Sequence, residues 1–251
     1  MIFDIFKPKK KDTPFAYTFS KAFIDIHSHI IPEIDDGAKS INHSLELLMR
    51  MRKLGIRNFV CTPHVIEGMW ENSTEKIRAA LEQLKPVVAQ TPGLEDVQIR
   101  AAAEYMMDDN FIRLLGNKDI LPIKDNKILV EMSYLAPPAN LYETLAEIQV
   151  KGYEPILAHP ERYQAYHSDL EQYHRLKSAG VSFQLNMIAL TNYYGKEVHE
   201  TALWLLRNNL IDFAGSDLHH MKHMGAIKSL TRREDMMELL IPILENNQSL
   251  N

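Results

Sequence analysis

Short apolar segments that end in histidine or a carboxylate recur along this chain, and they constrain its fold more than any other feature. The first is Ile24-Asp25-Ile26-His27-Ser28-His29, and a similar one, Gly215-Ser216-Asp217-Leu218-His219, comes much later. Between them, further apolar runs end at or near a single such residue, namely His64, Glu104, Glu131 and His159. Metal-ligand residue types at so many predicted strand ends indicate one polar centre that binds several metal ions.

Strand and helix patterns alternate along most of the chain. Apolar runs bounded by turn residues predict strands at about residues 21–27, 56–62, 97–104, 128–131, 155–159, 183–186 and 211–216. Helical spacing predicts one helix between an N-cap at Ser40 and Gly55, and others at about 74–90, 139–151, 168–179, 196–208 and 234–244. This alternation indicates a parallel α/β sheet, and a closed barrel brings every carboxyl strand end to one rim. We therefore predict a (β/α)7 barrel.

The composition agrees with one large domain, predicted for residues 21–251. The chain has 251 residues, of which 45% are hydrophobic, so it can bury a substantial core. Residues 1–20 differ, because an apolar stretch around Asp4 is followed by Lys7-Pro8-Lys9-Lys10-Lys11. We expect this extension to be a solubilising tail or, alternatively, to make weak peripheral contact with an anionic membrane surface.

Charge and cysteine content disfavour several classes of function. A net charge of -5 argues against non-specific nucleic-acid binding, and hence against a nuclease, because both need a basic face. The one cysteine, Cys61, permits no internal disulfide and agrees with a reducing cytoplasm. Glu67 lies where a cysteine-dependent tyrosine phosphatase needs an arginine, so that mechanism is not available. We expect no membrane span, because no run of about eighteen apolar residues occurs.

The candidate ligands together indicate more than one metal ion. Alternate residues of a strand share a face, so His27 and His29 point the same way, as do Asp217 and His219. The candidates are His27, His29, His64, Glu104, Glu131, His159, Asp217 and His219. One tetrahedral zinc uses only three or four ligands, so this set suits two or three ions that share bridging carboxylates. Mixed imidazole and carboxylate donors suit Mn²⁺, Fe, Zn²⁺ or Co²⁺.

A cluster of this kind is typical of hydrolases that act on phosphate esters. Bound ions activate water and neutralise the charge on the phosphorus centre. Arg162 follows in His159-Pro160-Glu161-Arg162-Tyr163, where it can contact a phosphate through two donors. The alternative for Arg162 is an ion pair at the rim with Glu161 or another acid. Arg162, Asp217 and His219 are the catalytic candidates.

These motifs resemble those of the bacterial PHP-domain protein-tyrosine phosphatases, the CpsB/CapC/YwqE-like group of capsule and exopolysaccharide operons. The similar segments are Asp25-Ile26-His27-Ser28-His29-Ile30, Thr62-Pro63-His64, Ile156-Leu157-Ala158-His159-Pro160-Glu161-Arg162-Tyr163 and Gly215-Ser216-Asp217-Leu218-His219. The resemblance implies a distorted (β/α)7 TIM-like barrel of the PHP type, with a trinuclear, usually manganese-dependent centre on the eight candidate ligands. It implies hydrolysis of phosphotyrosine on the tail of a partner tyrosine autokinase that regulates polysaccharide synthesis and export, in the cytoplasm near the inner face of the membrane.

The resemblance also bears on three single residues. In the wider PHP fold an acid after the first motif can join a metal, and Asp36 is that acid here unless the Asp35-Asp36-Gly37 turn is structural. The group carries a second phosphate-binding arginine shortly after the Asp-x-His motif, whereas this chain has His220-Met221-Lys222-His223-Met224. Lys222 and His223 are the candidate phosphate contacts in its place, although neither has the forked donors of arginine.

Two other functions remain open on the sequence. One is a PHP-family phosphatase for a small metabolite such as histidinol phosphate, which needs a lidded pocket where a peptide needs an open rim. The other is a catalytically silent metal-binding module that regulates a kinase. The complete set of candidate ligands argues against the silent module.

Overall fold

All paired strands in the described part of this chain, residues 15–251, run parallel. The computed structural model describes residues 15–251. Its strands are β1 (Ile24–Ser28), β2 (Asn58–Cys61), β3 (His64–Val65), β4 (Gln98–Ala101), β5 (Glu104–Met106), β6 (Lys127–Glu131), β7 (Glu154–Ala158), β8 (Ser182–Asn186) and β9 (Phe213–Gly215). One sheet has the order β1-β2-β4 and the other has the order β3-β5-β6-β7-β8-β9. The parallel α/β class predicted from the sequence is confirmed.

Helices connect most of the strands. They are α1 (Ile41–Lys53), α2 (Thr74–Gln90), α3 (Asp109–Asn117), α4 (Leu141–Val150), α5 (Glu171–Ser178), α6 (Lys196–Arg207), α7 (Met221–Leu230) and α8 (Glu234–Asn246). Ser40 is the N-cap of α1, as predicted, because its side chain accepts a hydrogen bond from the His43 N–H at 3.2 Å. The Asp108 side chain caps α3 by accepting from the Phe111 N–H at 2.8 Å. Each cap satisfies a backbone donor that the first helical turn leaves free.

Two predicted strands are each divided into two. The predicted strand at 56–62 becomes β2 and β3, and the predicted strand at 97–104 becomes β4 and β5. Pro63, which has no N–H to donate to a neighbouring strand, lies between β2 and β3. His64 and Glu104 then begin β3 and β5, where they pair with each other in register. The interruption therefore places these two side chains next to each other.

The sequence patterns do not predict α3 or α7. α3 is short and fully buries only Phe111 and Leu115, which gives no clear helical period. α7 buries Met224, Ile227 and Leu230, but its first turn carries polar residues that obscure this apolar face. The buried apolar side chains of both helices belong to the large hydrophobic core, so tertiary packing stabilises these helices more than a local signal does.

Backbone hydrogen bonds connect the two sheets. The Asp217 N–H donates to the His27 carbonyl at 2.8 Å, and the His29 N–H donates to the Leu218 carbonyl at 3.0 Å. At the other junction the Glu104 N–H donates to the Pro63 carbonyl at 3.1 Å. Within residues 15–251 the strands nevertheless form two sheets, and the predicted closed (β/α)7 barrel is not present as one continuous sheet.

Apolar side chains cover both faces of the strands. In β6, Leu129 belongs to a small cluster, whereas Ile128 and Val130 belong to the large cluster that contains the buried helix faces. The small cluster comprises Ile24, Ile26, Val60, Ala102, Ile123, Leu129, Ile156, Ala158, Phe213 and Leu250. Burial on both faces explains why these strands are continuous apolar runs in the sequence.

Part of the predicted N-terminal extension packs against the domain. Phe19 is only 2% exposed, and its N–H donates to the Leu54 carbonyl at 2.9 Å. The Tyr17 N–H donates to the Thr231 carbonyl at 2.7 Å. The basic cluster and its expected membrane contact fall in residues 1–14, outside the described residues. None of the helices in residues 15–251 combines the length and the hydrophobicity that crossing a membrane requires.

Candidate metal centre

The eight residues predicted as metal ligands lie together at or beside strand ends. Seven of them are buried, and His219 is partly buried. The structure thus brings together His27, His29, His64, Glu104, Glu131, His159, Asp217 and His219. Their convergence follows from the parallel sheets, in which the carboxyl ends of the strands share one edge.

The Glu104 carboxylate occupies the middle of this cluster. Its Oε2 lies 3.1 Å from His27 Nε2 and 3.1 Å from His64 Nδ1, and its Oε1 lies 2.9 Å from His159 Nε2. Oε2 is buried and has no hydrogen-bond partner among residues 15–251. A buried anionic oxygen in this position needs a cation.

Hydrogen bonds outside the cluster fix the orientation of its first two histidines. His27 Nδ1 donates to Gln184 Oε1 at 2.7 Å, and His29 Nδ1 donates to Asp35 Oδ2 at 2.7 Å. In the neutral form of each ring the opposite nitrogen, Nε2, then carries a free lone pair. The two Nε2 atoms lie 3.2 Å apart and both lie 3.4 Å from Asp217 Oδ1. Histidine ligands of metals are commonly oriented in this way by a partner on the other ring nitrogen.

Two glycines allow the backbone to pass close to His27 and His29. A Cβ at Gly215 would lie 2.6 Å from His27 Cβ, and a Cβ at Gly37 would lie 2.1 Å from the His29 carbonyl oxygen. Any larger residue at either position would displace the first motif. The Asp35-Asp36-Gly37 turn therefore has a structural role beside His29.

Two of the candidate ligands have left-handed backbone conformations. His159 has a φ of 34° and Asp217 has a φ of 49°. Non-glycine residues rarely adopt positive φ, and such strain concentrates at functional sites. Here it turns the chain at the ends of β7 and β9, so that both side chains face the cluster.

The carboxylates control the charge of the histidines. Burial opposes a charge on His27, but Glu104 and Asp217 outweigh it and raise the pKa of this imidazole. Burial likewise opposes a charge on His64, but Glu104 dominates and raises the pKa of His64 to about 10. The pKa of Asp217 is held well below its ordinary value, since nearby His27 and His219 outweigh the effect of burial.

Glu104 and Glu131 form a carboxylate pair with opposite pKa shifts. Burial and the negative charge of Glu104 raise the pKa of Glu131. The pKa of Glu104 is held well below its ordinary value, because His27 and His64 outweigh its burial. The pair is therefore able to share one negative charge or, beside cations, to carry two.

Arg162 contacts two tyrosine rings beside the cluster. Its guanidinium carbon is 4.3 Å from the centre of the Tyr134 ring and 4.5 Å from the centre of the Tyr194 ring. Nη1 donates to Asp217 Oδ2 at 2.8 Å. The expected alternative, an ion pair with an acid, is therefore present, with Asp217 rather than Glu161 as the partner. Arg162 also lines the cavity above the cluster, so it keeps access to a substrate.

Three further residues were predicted as possible metal or phosphate contacts, and they lie at different distances from the cluster. Asp36 Oδ1 lies 3.3 Å from His219 Nε2 and 3.6 Å from His64 Nε2, so it borders the cluster. His223 lines the cavity, and its Nδ1 lies 3.3 Å from the His219 backbone nitrogen. Lys222 is exposed and is not part of the cavity lining.

Several residues of the site were not predicted from the sequence. Asn186 Nδ2 donates to Asp217 Oδ2 at 2.8 Å, and Gln184 holds His27. These two polar residues alternate in the buried strand β8, which is the same signal that identified His27 and His29 in β1. No local pattern identifies Tyr134 or Tyr194, because their role depends on Arg162 reaching them.

The donor set fits a group of divalent ions. Four overlapping sets of donor atoms each lie within 4.8 Å of one another, namely His29, Asp36, His64 and His219; His27, Glu104 and His159; His27, His29 and Asp217; and His64, Glu104 and Glu131. Because Glu104 belongs to two of these sets, it would contribute to two neighbouring sites if both held an ion. Imidazoles with free lone pairs and carboxylates suit Mn²⁺, Fe, Zn²⁺ and Co²⁺.

Comparison with known proteins places the chain in a family. The family described as "Capsular polysaccharide synthesis, CpsB/CapC" matches residues 23–232. The chain belongs to the CpsB/CapC family. The relationship predicted from the motifs is therefore confirmed.

Relatives and a solved structure of the CpsB/CapC type cover most of this chain. Tyrosine-protein phosphatase YwqE of Bacillus subtilis (strain 168) is 31% identical over 239 residues, which are 90% of this chain and 91% of YwqE. Tyrosine-protein phosphatase CpsB of Streptococcus pneumoniae is 29% identical over 204 residues, which are 79% of this chain and 83% of CpsB. One solved chain comes from crystal structures of YwqE and CpsB, described as unique metal-dependent tyrosine phosphatases. It has a TM-score of 0.80 at 28% identity, covering 90% of this chain and 93% of that chain.

Proposed function

We propose that this chain is a metal-dependent protein-tyrosine phosphatase that hydrolyses phosphotyrosine on a partner tyrosine autokinase. The observation that carries the proposal is the placement of Arg162, a phosphate-binding residue type, in the same cavity as the histidine and carboxylate cluster. The names of YwqE and CpsB support phosphotyrosine as the substrate. The family description names capsular polysaccharide synthesis, and a kinase that regulates polysaccharide synthesis or export is consistent with it as the partner.

Two or three divalent ions, with manganese as first choice and Fe, Zn²⁺ or Co²⁺ as alternatives, belong to this proposal. The residues that would hold them are His27, His29, His64, Glu104, Glu131, His159, Asp217 and His219, with Asp36 as a further ligand. When bound, such ions activate water and neutralise the charge that develops on the phosphoryl group. Gln184 and Asp35 keep His27 and His29 turned toward the ions.

Arg162 binds and orients the phosphate in this scheme. Tyr134 and Tyr194 hold the guanidinium by cation–π contact, and Asp217 anchors Nη1. The remaining guanidinium donors are available to a phosphate oxygen. A side chain fixed in advance loses little entropy when the substrate binds.

His223 supplies the second phosphate contact in place of the absent arginine. Burial lowers the pKa of His223 to about 4, so the imidazole is neutral at physiological pH. His223 Nδ1 lies 3.3 Å from the His219 backbone nitrogen and 3.1 Å from the Asp217 carbonyl oxygen, so it accepts from the first in one tautomer and donates to the second in the other. The phosphate contact requires the tautomer in which Nδ1 accepts, because only then does Nε2 carry a proton to donate to phosphate. A neutral donor binds phosphate less strongly than arginine does, so we expect a higher KM than an enzyme with two arginines would have.

The architecture and location are part of the same proposal. The two sheets correspond to the two parts of a distorted (β/α)7 barrel, which the backbone bonds between β1 and Asp217–Leu218 support. Residues 21–251 form the phosphatase domain. A single cysteine and a kinase partner both suit the cytoplasm, near the inner face of the membrane.

The test compares a phosphotyrosyl peptide with histidinol phosphate as substrates in Mn²⁺. We expect the higher kcat/KM on the peptide and no turnover in chelator. The His27→Ala variant should lose turnover while it keeps the circular dichroism of the wild type. Faster turnover of histidinol phosphate would show that the substrate is a small metabolite rather than a phosphotyrosyl peptide. Equal activity with and without chelator would overturn a metal-dependent hydrolase, and no turnover at all would favour a silent metal-binding module.

A further inference from the structure

The cavity above the cluster has a polar side and an apolar side. It has a volume of about 460 Å³, and Arg162, His219 and His223 lie among its polar lining. The apolar lining comprises Ile66, Met69, Trp70, Met106 and Met132. Nothing in the proposed chemistry at phosphorus uses these five side chains, which we call the apolar wall.

A short turn supplies most of the apolar wall and holds it in place. The Ile66 N–H donates to the Trp70 carbonyl at 3.0 Å, and the Trp70 N–H donates back to the Ile66 carbonyl at 3.0 Å. Just beyond the turn, the buried Asn72 side chain donates to the carbonyl oxygens of Ile34 and His64, each at 2.8 Å. The turn is thereby tied to the segments that carry Asp36 and His64.

Trp70 and Met69 face the cavity in different ways. The Trp70 ring is stacked on the His64 ring, with centroids 5.0 Å apart and an interplanar angle of 16°. Met69 lies at the turn with 65% of its surface exposed, although it is a large apolar residue. Single apolar residues are common on protein surfaces. Met69, however, extends an apolar surface that borders a polar centre, and such a surface is typical of a binding site.

We propose that the apolar wall binds the aromatic ring of an aryl phosphate ester and thereby selects aryl over alkyl esters. The inference rests on the proposed phosphatase function and names residues that determine its specificity. With the phosphate at Arg162, a phenyl ring in the same cavity buries apolar area against Trp70 and makes sulfur–aromatic contacts with Met69. A seryl phosphate has no ring to place there, so it gains none of this contact.

Binding of two phosphonates tests the wall without any turnover. Calorimetry on the Mn²⁺-loaded protein compares phenylphosphonate with methylphosphonate. We expect Met69→Ala and Trp70→Ala to lower the preference for phenylphosphonate by about tenfold each, a loss typical of removed apolar contact. Trp70→Phe should retain most of the preference. Val150→Ala, an exposed apolar residue of α4 outside the cavity lining, should leave it unchanged.

Two results would contradict the proposal that the apolar wall binds the aromatic ring. One is equal affinity of the wild type for the two phosphonates, and the other is an equal loss of both affinities in Met69→Ala. Unchanged affinity for methylphosphonate in that variant would show that the phosphate side of the cavity is intact.

Turnover separates this inference from the function on which it rests. Phosphotyrosyl and phosphoseryl peptides of one sequence are compared, and Met69→Ala should raise KM for the phosphotyrosyl peptide about tenfold with little change in kcat. Selective binding of phenylphosphonate without hydrolysis of either peptide would overturn the phosphatase and support the wall. Equal hydrolysis of both peptides, with no phosphonate preference, would overturn the wall and support the hydrolase.

Discussion

Arg162 Nη1 donates a hydrogen bond to Asp217 Oδ2 at 2.8 Å, which links an arginine of the cavity lining to the histidine cluster. Asn186 Nδ2 donates to the same oxygen, also at 2.8 Å. The other oxygen, Oδ1, faces His27 and His29 at 3.4 Å each. One carboxylate therefore orients an arginine with one oxygen and offers the other oxygen to metal.

We expect Arg162→Lys to raise KM for a phosphotyrosyl peptide by roughly 10- to 100-fold. A lysine ammonium lacks the forked donors, and one charge-assisted hydrogen bond contributes about 1.5–3 kcal/mol. Metal content per chain should remain, because Asn186 still holds Asp217. Steady-state kinetics and elemental analysis measure the two quantities.

Arg50→Lys is the control for this substitution, because Arg50 is an exposed arginine of α1 that pairs with Glu46. It should leave both KM and metal content at the wild-type values. An unchanged KM in Arg162→Lys would remove Arg162 from the phosphate site. Loss of metal instead would mean that Arg162 is needed to orient Asp217.

Glu104→Gln should weaken Mn²⁺ binding by roughly 100- to 4000-fold and abolish turnover. The substitution keeps the size of the side chain but removes the charge that His27 and His64 face, and breaking a buried charge pair costs about 3–5 kcal/mol. Titration calorimetry measures the affinity. Glu46→Gln, at an exposed position, should bind Mn²⁺ as the wild type does. Wild-type affinity in Glu104→Gln would exclude this carboxylate as a bridging ligand.

The sequence was sufficient to predict the centre of the site because periodicity is local. Alternate residues of a strand share a face, so His27 and His29 at the end of β1 can be identified without knowledge of the fold. Asp217 and His219 lie beyond the end of β9, so strand alternation does not explain why both face the cluster. Parallel strands then place His159 and Glu131 at the same edge. The left-handed backbone of His159 and Asp217 could not be predicted, since it depends on how the chain leaves β7 and β9.

Residues whose role depends on contacts between distant parts of the chain could not be recognised from sequence patterns. Tyr134 and Tyr194 are far apart in the chain and meet only around Arg162. The division of two predicted strands also depends on tertiary pairing, because His64 and Glu104 match each other in register across separate segments. The closed barrel was predicted because it would bring every carboxyl strand end, with its candidate ligands, to one rim. Closure depends on hydrogen bonding between β1 and β9, for which the sequence contains no pattern.

Asn247→Ala should lower the free energy of unfolding by about 2–4 kcal/mol. The buried Asn247 amide donates to the carbonyls of Ile24 and Ala214, at 2.8 and 2.6 Å, and accepts from the Ala214 N–H at 3.0 Å. It therefore joins β1 to β9, and its removal leaves three buried backbone groups without their partner. Urea denaturation in chelator measures the change.

The neighbouring Asn246→Ala is the matched control, because Asn246 is exposed and its side chain donates to the Asp212 carbonyl at 3.3 Å, a long hydrogen bond at the surface. It should change stability by no more than about 0.5 kcal/mol. Equal effects of the two substitutions would show that the contact between β1 and β9 does not depend on Asn247.

Glu161 is a buried carboxyl whose hydrogen bonding is incomplete. Its Oε1 accepts from the Asn186 N–H at 2.9 Å, whereas Oε2 has no hydrogen-bond partner in the described part of the chain. Burial raises the pKa of Glu161 from 4.5 to about 8. The folded protein therefore holds a proton here that the unfolded chain releases near pH 4.5.

This proton makes stability depend on pH. A raised pKa stabilises the folded state fully below pH 4.5, and the contribution is lost as pH rises through about 8, at up to about 1.4 kcal/mol per pH unit. Glu161→Gln lacks the carboxyl, so its unfolding free energy in chelator should fall less than that of the wild type between about pH 5 and 8. Glu171→Gln, at an exposed position in α5, should follow the wild-type curve. Parallel curves for the wild type and Glu161→Gln would mean that Glu161 is already ionised in the folded protein, with a cation or a water molecule at Oε2.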